Sequence, residues 1–196
     1  MLLDSRVVAL AMRVLKRRRF AVSPGSDLTV ELLRRVAMPA DRVVLIGGSD
    51  SHAKTIAATF GLADVRHHNP PMGFIGDDAA VENCLRFIEA QSPFRFCFLA
   101  VGSPQQEIVA HRLQARGSAR GLVFCVGAAL NFITGAEARA PRWMQLMALE
   151  WLHRLQQDPR RLARRYLIRG PRILGHLLSS RLVLRVRSGS QARRDT

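Results

Sequence analysis

Apolar positions along the chain follow two rhythms. Between positions 42 and 130, short continuous apolar runs alternate with stretches in which apolar residues recur every three or four positions. RVVLI (42–46) is rich in β-formers and leads through Gly47-Gly48-Ser49-Asp50 into a helix over SHAKTIAATF. DVRHH (64–68) reads as a short second strand closed by Asn69-Pro70-Pro71. A helix is expected from about Asp77 to Ala90, with Asp77 or Asp78 as its cap. FRFCFLAVG (94–102) is a third run, and GLVFCVGAAL (121–130) holds a fourth. Between them QQEIVAHRLQARG is a helix stopped by Gly117. Continuous apolar strands separated by helices predict an α/β fold, a parallel sheet covered on both faces. At the start, Leu2-Leu3 reads as a strand end feeding a helix that begins at Ser5, which puts Asp4 at the junction.

Past position 139 the pattern changes. Met144, Met147, Trp151, Leu152 and Leu155 form one helical stripe, and arginines recur beside it at 139, 142, 154, 160, 161, 164, 165 and 169. PRILGHLLSSRLVLRVR (171–187) gathers Ile173, Leu174, Leu177, Leu178 and Leu182 on one face with Arg181 and Arg185 alongside, the signature of an interfacial helix. The expected organisation is a core over 1–138, an arginine-rich amphipathic appendage over 139–196, and a disordered polar tail from about 188.

Composition sharpens the second half of this picture. The formal net charge is +15, and Lys16 and Lys54 are the only lysines. From Arg139 onward fourteen arginines face only Glu150, Asp158 and Asp195. Arginine favours planar, bidentate contact with phosphate or carboxylate. A surface both greasy and cationic suits a phospholipid or a lipid-linked phosphate; nucleic acid suits only half of it. With twelve aromatics and no recognisable nucleic-acid module, a basic nucleic-acid-binding protein is the weaker reading. Cys84, Cys97 and Cys125 are scattered and read as free thiols of a reducing compartment. No CxxC, HExxH or clustered ligand set is present, so no metal and no cofactor are expected. No apolar run reaches the ~18 residues a membrane span needs. Without a signal-peptide layout, the expected place is the cytoplasm, peripheral on the inner face of the cytoplasmic membrane.

In a parallel sheet, ligands sit outside the carboxyl ends of the strands. The candidate loops are Gly47 to Asp50, Gly102 to Glu107 and Gly127 to Gly135, each opening with a glycine after a strand. In the second, Ser103 can be an N-cap and Pro104 the first helical residue, leaving amides aimed at an anion; Ser103 with Gln106 also makes a capping box that needs no ligand. Gln105, Gln106 and Glu107 offer amide and carboxylate groups suited to sugar hydroxyls or a uracil edge. Gly47-Gly48 is either a phosphate turn or a plain strand-to-helix turn, and it lacks both the GxGxxG spacing and a Walker lysine. His67-His68 reads as solvated or structural. Asn131, in the loop after the fourth run, either caps a turn or meets a ligand. Glu150 and Arg154 are spaced for a helical ion pair, and Trp143 and Trp151 read as core or helix-packing residues, with interfacial anchoring as the alternative.

GSPQQE (102–107), VGAALNFITGAEARAPRWM (126–144) and LEWLHRLQQDPRRLARRYL (149–167), together with PGSDLT (24–29) and LIGG (45–48), resemble the WecG/TagA/CpsF family of bacterial glycosyltransferases. The resemblance runs along nearly the whole chain. It implies a Rossmann-like α/β core with a membrane-docking appendage. It also implies an inverting, metal-independent transfer of a sugar from a UDP-sugar to a polyprenyl-diphosphate-linked acceptor, in exopolysaccharide or cell-envelope glycan synthesis. The family's general base, placed by its spacing to PGSDLT, falls on Asp4, with Ser5 where the family has glycine. The glutamine of its PxQE motif falls on Gln106, with Glu107 completing it, and Asn131 stands where the family commonly has Asp.

The catalytic candidates are therefore Asp4, Gln106 and Arg154. The substrate-binding candidates are Gly47, Gly48, Gly102, Ser103, Gln105, Glu107, Gly127 and Asn131. Arg160, Arg164 and Arg165 are candidates for diphosphate or membrane contact, each cation contributing on the order of 1 kcal/mol against an anionic leaflet. The partners implied are the UDP-sugar, the lipid-linked acceptor and an anionic membrane surface, with a homo-oligomer left open. Family members normally carry a further strand–helix unit ahead of the base. The expectation is then either a start upstream of Met1 or a shortened, non-catalytic relative that binds lipid-linked intermediates.

Overall fold

A computed structural model describes residues 2–3, 6–17, 21–137, 140–141, 143–144, 147, 149–157, 159 and 163. The chain divides into two compact units, one of residues 1–6 with 21–141, the other of residues 7–20 with 142–196. The first opens with β1 (Leu2–Leu3), which pairs in parallel with β2 (Ala21–Val22). Next come α2 (Gly25–Arg35), β3 (Arg42–Ile46), α3 (Asp50–Phe60), β4 (Asp64–His68), a 3₁₀ turn (Phe74–Gly76) and α4 (Asp78–Ala90). β5 (Phe96–Leu99), α5 (Gln105–Arg116), β6 (Leu122–Cys125) and the short α6 (Ala129–Ile133) complete it. α1 (Arg6–Lys16) begins at the edge of the first unit and belongs mostly to the second, which also holds α7 (Glu150–Gln157).

The four strands β4-β3-β5-β6 form one parallel sheet, Rossmann-like and covered by helices on both faces. Alternate residues of each strand feed opposite layers. Val43, Leu45, Phe96 and Phe98 meet Leu33 of α2, Ala53 and Ile56 of α3 and Leu130 of α6. Val44, Ile46, Cys97 and Leu99 meet Val81, Cys84, Leu85 and Ile88 of α4 and Val109 and Leu113 of α5. β3 and β5 have no polar face left, which is why their sequences are continuously apolar. Asp77 caps α4 by accepting from the Ala79 and Ala80 amides, and Gly117 ends α5 in the left-handed conformation.

Chain order and strand order together place the ligand crevice. From β3 the chain passes through α3 to β4 on one side; from β5 it passes through α5 to β6 on the other. The strands stay paired to their ends, but the loops that follow them lead to helices on opposite sides, and the place where those loops diverge is the switch point of an open α/β sheet.

Three expectations are corrected in detail. Asn131 lies on α6 rather than in a loop, because a single helical turn without a side-chain cap carries little sequence signal. The stripe from Met144 to Leu155 is not one helix: Met147 sits in a turn, Leu149 is non-helical and α7 starts only at Glu150. Trp143 is 58% exposed rather than packed. The tail helix over 171–187 lies outside the described residues.

Candidate functional site

Three strand exits line the carboxyl edge of the sheet. At the β3 exit Gly47 has φ +95°, and a Cβ there would stand 2.9 Å from the Ala100 carbonyl oxygen beyond β5. Only glycine lets the two exits approach this closely. The Gly47 amide donates to the His68 carbonyl at 2.8 Å. Ser49 then caps α3: its hydroxyl accepts from the His52 amide, and His52 Nδ1 accepts from the Ser49 amide at 3.3 Å. The turn is therefore a capped helix start with histidine in the place usually held by glutamate or glutamine.

His67 reaches this turn from β4. Its Nδ1 lies 2.8 Å from Asp50 Oδ1 and its Nε2 lies 3.2 Å from the Gly47 carbonyl oxygen. The imidazole is 11% exposed, whereas Asp50 is 88% exposed. Sequence reading left His67 as solvated or structural. The one cue was parity: in β4 it shares a face with Val65, which packs towards α3, while His68 faces the other way and stacks on Phe87 at 5.0 Å. Burial, followed by the charge of His67, holds the His68 pKa below its ordinary value.

At the β5 exit Gly102 has φ +80° and α5 begins at Gln105, with Pro104 at the cap position and no side-chain cap. The Ser103 N-cap and the Ser103–Gln106 capping box are not formed. Gln106 is engaged elsewhere: it is 8% exposed, its Oε1 accepts from the Gly127 amide at 2.9 Å and its Nε2 donates to Glu107 Oε1 at 2.9 Å. One side chain thus ties the β5 exit to the β6 exit and orients the exposed Glu107 carboxylate. The neighbouring Gln105 Oε1 is buried and accepts nothing from the described residues.

At the β6 exit Gly127 has φ +55° and Cys125 Sγ lies 3.6 Å from the Gln106 carbonyl oxygen. Cys125 as a whole is exposed, but its sulfur is tucked under the β5 exit. Burial, and then the Glu107 charge, push its thiol pKa up. Farther on, Asn131 Nδ2 donates to Glu137 Oε1 at 2.8 Å and the Glu137 amide returns a bond to the Asn131 carbonyl at 3.1 Å, closing the segment around Gly135.

Gly47, Gly48, Gly102, Ser103, Gln105, Gln106, Glu107, Gly127 and Asn131 therefore all lie at or just beyond strand exits on one edge. Asp4, Arg160, Arg164 and Arg165 lie outside the described residues; Arg154 is on α7 with its side chain outside them. Among the described residues no group of three or more His, Cys, Asp or Glu could hold a metal ion, and no helix is long and apolar enough to cross a membrane. An open depression of about 430 Å³ lies at the opposite, amino edge, lined by Asp41, Arg42, Asp64, Phe94 and Arg95. Its charges engage one another: Arg42 bonds Asp64 at 2.7 Å and the Gln91 carbonyl at 3.2 Å, and Arg95 faces Asp41.

Compared with models of known protein families, residues 1–187 match the glycosyl transferase WecG/TagA/CpsF family.

Proposed function

Because the chain belongs to the WecG/TagA/CpsF family of glycosyl transferases, we propose that it moves a sugar from a UDP-sugar to a polyprenyl-diphosphate-linked acceptor, with inversion and without a metal. The observation that carries the donor half of this reading is the set of loops at the carboxyl edge of the sheet. Two glycine turns flank the switch point between β3 and β5, and an unpartnered Gln105 Oε1 lies beside them. That arrangement offers main-chain groups and amides to a nucleotide, which phosphate-binding loops and dinucleotide folds do at the same place.

A sugar diphosphate already carries a good leaving group, so a pair of hydrolase carboxylates is unnecessary. One base to take the acceptor proton, and cations to receive the departing diphosphate, are enough. Asp4 is the proposed base. Arg154, Arg160, Arg164 and Arg165 are the proposed cations, shared between the diphosphate and anionic lipid headgroups at the inner face of the cytoplasmic membrane. Gln106 acts by holding the β5 and β6 exits together, with Gly47, Gly48, Gly102, Ser103, Gln105, Glu107, Gly127 and Asn131 lining the donor side.

Transfer of radiolabelled sugar from UDP-sugars to a short polyprenyl-diphosphate-linked acceptor tests the reading. The wild-type chain transfers label, and Asp4→Asn lowers the rate about a hundredfold or more, the scale of a general base. A chain that binds UDP and acceptor but transfers nothing is a non-catalytic binder of lipid-linked intermediates, and the enzyme reading falls.

A further inference from the structure

The Gly47–Gly48 turn contains one peptide plane that no main-chain hydrogen bond from the described residues fixes. Before it, the Gly47 amide is anchored to the His68 carbonyl, and the space beside the Gly47 α-carbon where a Cβ would stand is taken by the Ala100 carbonyl. After it, the Ser49 amide is held by His52 Nδ1, and the Ser49 carbonyl accepts from the Ala53 amide at 3.2 Å. Between these anchors lies a bond joining two glycines at φ +95° and +78°, a pairing that leaves the intervening plane free to rotate. The contact that stops it is His67 Nε2 at 3.2 Å from the Gly47 carbonyl oxygen. A carbonyl can only accept, so the imidazole donates there. The Asp50 carboxylate, at the first residue of α3, likewise only accepts, so making both contacts takes a hydrogen on each ring nitrogen, and the pair of bonds fixes the ring's orientation.

Across a trans peptide the carbonyl and the following N–H point in opposite directions. A Gly47 carbonyl drawn towards His67 turns the Gly48 N–H away from it. The Ser49 N–H, turned towards His52, likewise turns the Gly48 carbonyl away from His52. Among the described residues nothing accepts from the Gly48 N–H and nothing donates to the Gly48 carbonyl. One residue at the carboxyl edge therefore carries both an uncommitted donor and an uncommitted acceptor.

We propose that His67, steadied by Asp50, is a positioning residue that aims the Gly48 N–H and C=O at a hydroxyl of the donor nucleotide. An adjacent donor and acceptor match a hydroxyl, which both gives and takes a hydrogen bond, better than a phosphate oxygen, which only accepts. In a nucleoside diphosphate the hydroxyls are those of the ribose. The inference rests on the UDP-sugar reading above and adds to it the residue that sets the geometry of its β3-side contact.

Calorimetric titration with UDP and with 2′,3′-dideoxy-UDP tests it. The wild type prefers UDP by about tenfold, the scale of one well-made hydrogen bond set. His67→Leu loses about tenfold in UDP affinity and none in dideoxy-UDP affinity, so the preference disappears. His67→Gln, which keeps an N–H donor, restores UDP affinity to within about threefold. Asp50→Ala, at an exposed position that folding tolerates, reduces the preference by about threefold. A merely structural histidine would lower the melting temperature of the variants and leave the UDP to dideoxy-UDP ratio unchanged. That result, in His67→Leu or, should it not fold, in Asp50→Ala, overturns the inference alone. A wild-type chain that binds neither nucleotide removes the donor reading itself.

Discussion

The two ends of the central sheet use polar residues in opposite ways. At the amino edge charges pair with charges: Asp64 receives Arg42 at 2.7 Å and Arg66 at 2.6 Å, and Arg95 faces Asp41. At the carboxyl edge side chains bond to loop backbone: His67 to the Gly47 carbonyl, His52 to the Ser49 amide, Gln106 to the Gly127 amide. The first arrangement turns its charges towards one another. The second fixes loops while the buried Gln105 Oε1 and the Gly48 main-chain groups find no partner among the described residues. Stability is invested at one edge and binding geometry at the other.

Two glycine substitutions test that division with the largest effects. Each edge has a glycine that lets two segments touch. Gly121 begins the β6 approach at φ +147°, where a Cβ would collide with the backbone oxygen and ring of Phe94. Gly47 does the same against Ala100 at the carboxyl edge. Replacing either by alanine adds backbone strain and a clash with backbone, an expected loss of about 2–4 kcal/mol in denaturant unfolding. The two should part in binding. At a temperature where both variants are folded, Gly121→Ala keeps wild-type UDP affinity and Gly47→Ala loses about tenfold or more. Equal UDP affinity in the two would erase the distinction between the edges.

Asp64 gives a smaller, pH-dependent version of the same comparison. The Arg42 hydrogen bond, opposed by partial burial and reinforced by Arg66, holds its carboxyl below the ordinary 3.8. A depressed folded-state pKa means that the unfolded chain binds the proton more tightly. The stabilisation is therefore fully present above about pH 4 and is lost as pH falls through the folded-state value. Asp64→Asn should lower stability by about 1 kcal/mol at neutral pH and flatten the acid limb of the stability curve, with UDP affinity unchanged. A shift in UDP affinity beyond about threefold would show that the amino edge reaches the binding site after all.

What the sequence made legible was whatever depends on local order. The apolar runs at 42–46 and 96–99, the Asp77 cap and the Gly117 stop follow from periodicity and turn chemistry, and they suffice for a doubly covered parallel sheet. The loops at the strand exits followed from that sheet. Contacts across the sheet were not legible, because periodicity tells which face a residue takes and not which partner waits there. His67 meets Asp50 across 17 residues, and Gln106 meets Gly127 across 21. Ser103 shows the same limit from the other side: its local pattern with Gln106 satisfied the capping-box rule, yet Gln106 accepts from the Gly127 amide beyond β6 and donates to its neighbour Glu107 instead. The appendage stripe failed at Met147 for a related reason, since spacing by three and four persists on paper even when the chain turns. The candidates Asp4, Arg160, Arg164 and Arg165 rest on sequence and family.

The three thiols sharpen the edge comparison most gently. Burial pushes Cys84 up to about 11, and pushes Cys97 higher still, with the other two thiols adding. Cys125 is raised as well, but it stands exposed at the β6 exit beside Glu107. At pH 8 iodoacetamide should therefore modify the native chain once, at Cys125 and more slowly than a free thiol, and three times after denaturation. Glu107→Gln removes the nearby negative charge and should speed that single reaction about two- to threefold. Saturating UDP should slow it by a similar factor, because the sulfur lies against the residue that ties the β5 and β6 exits together. Rapid native labelling of Cys84 or Cys97, read by peptide mass mapping, would mean that the α4 layer opens on the labelling timescale. The sheet could then not hold its carboxyl-edge loops as rigidly as the His67 and Gln106 contacts require.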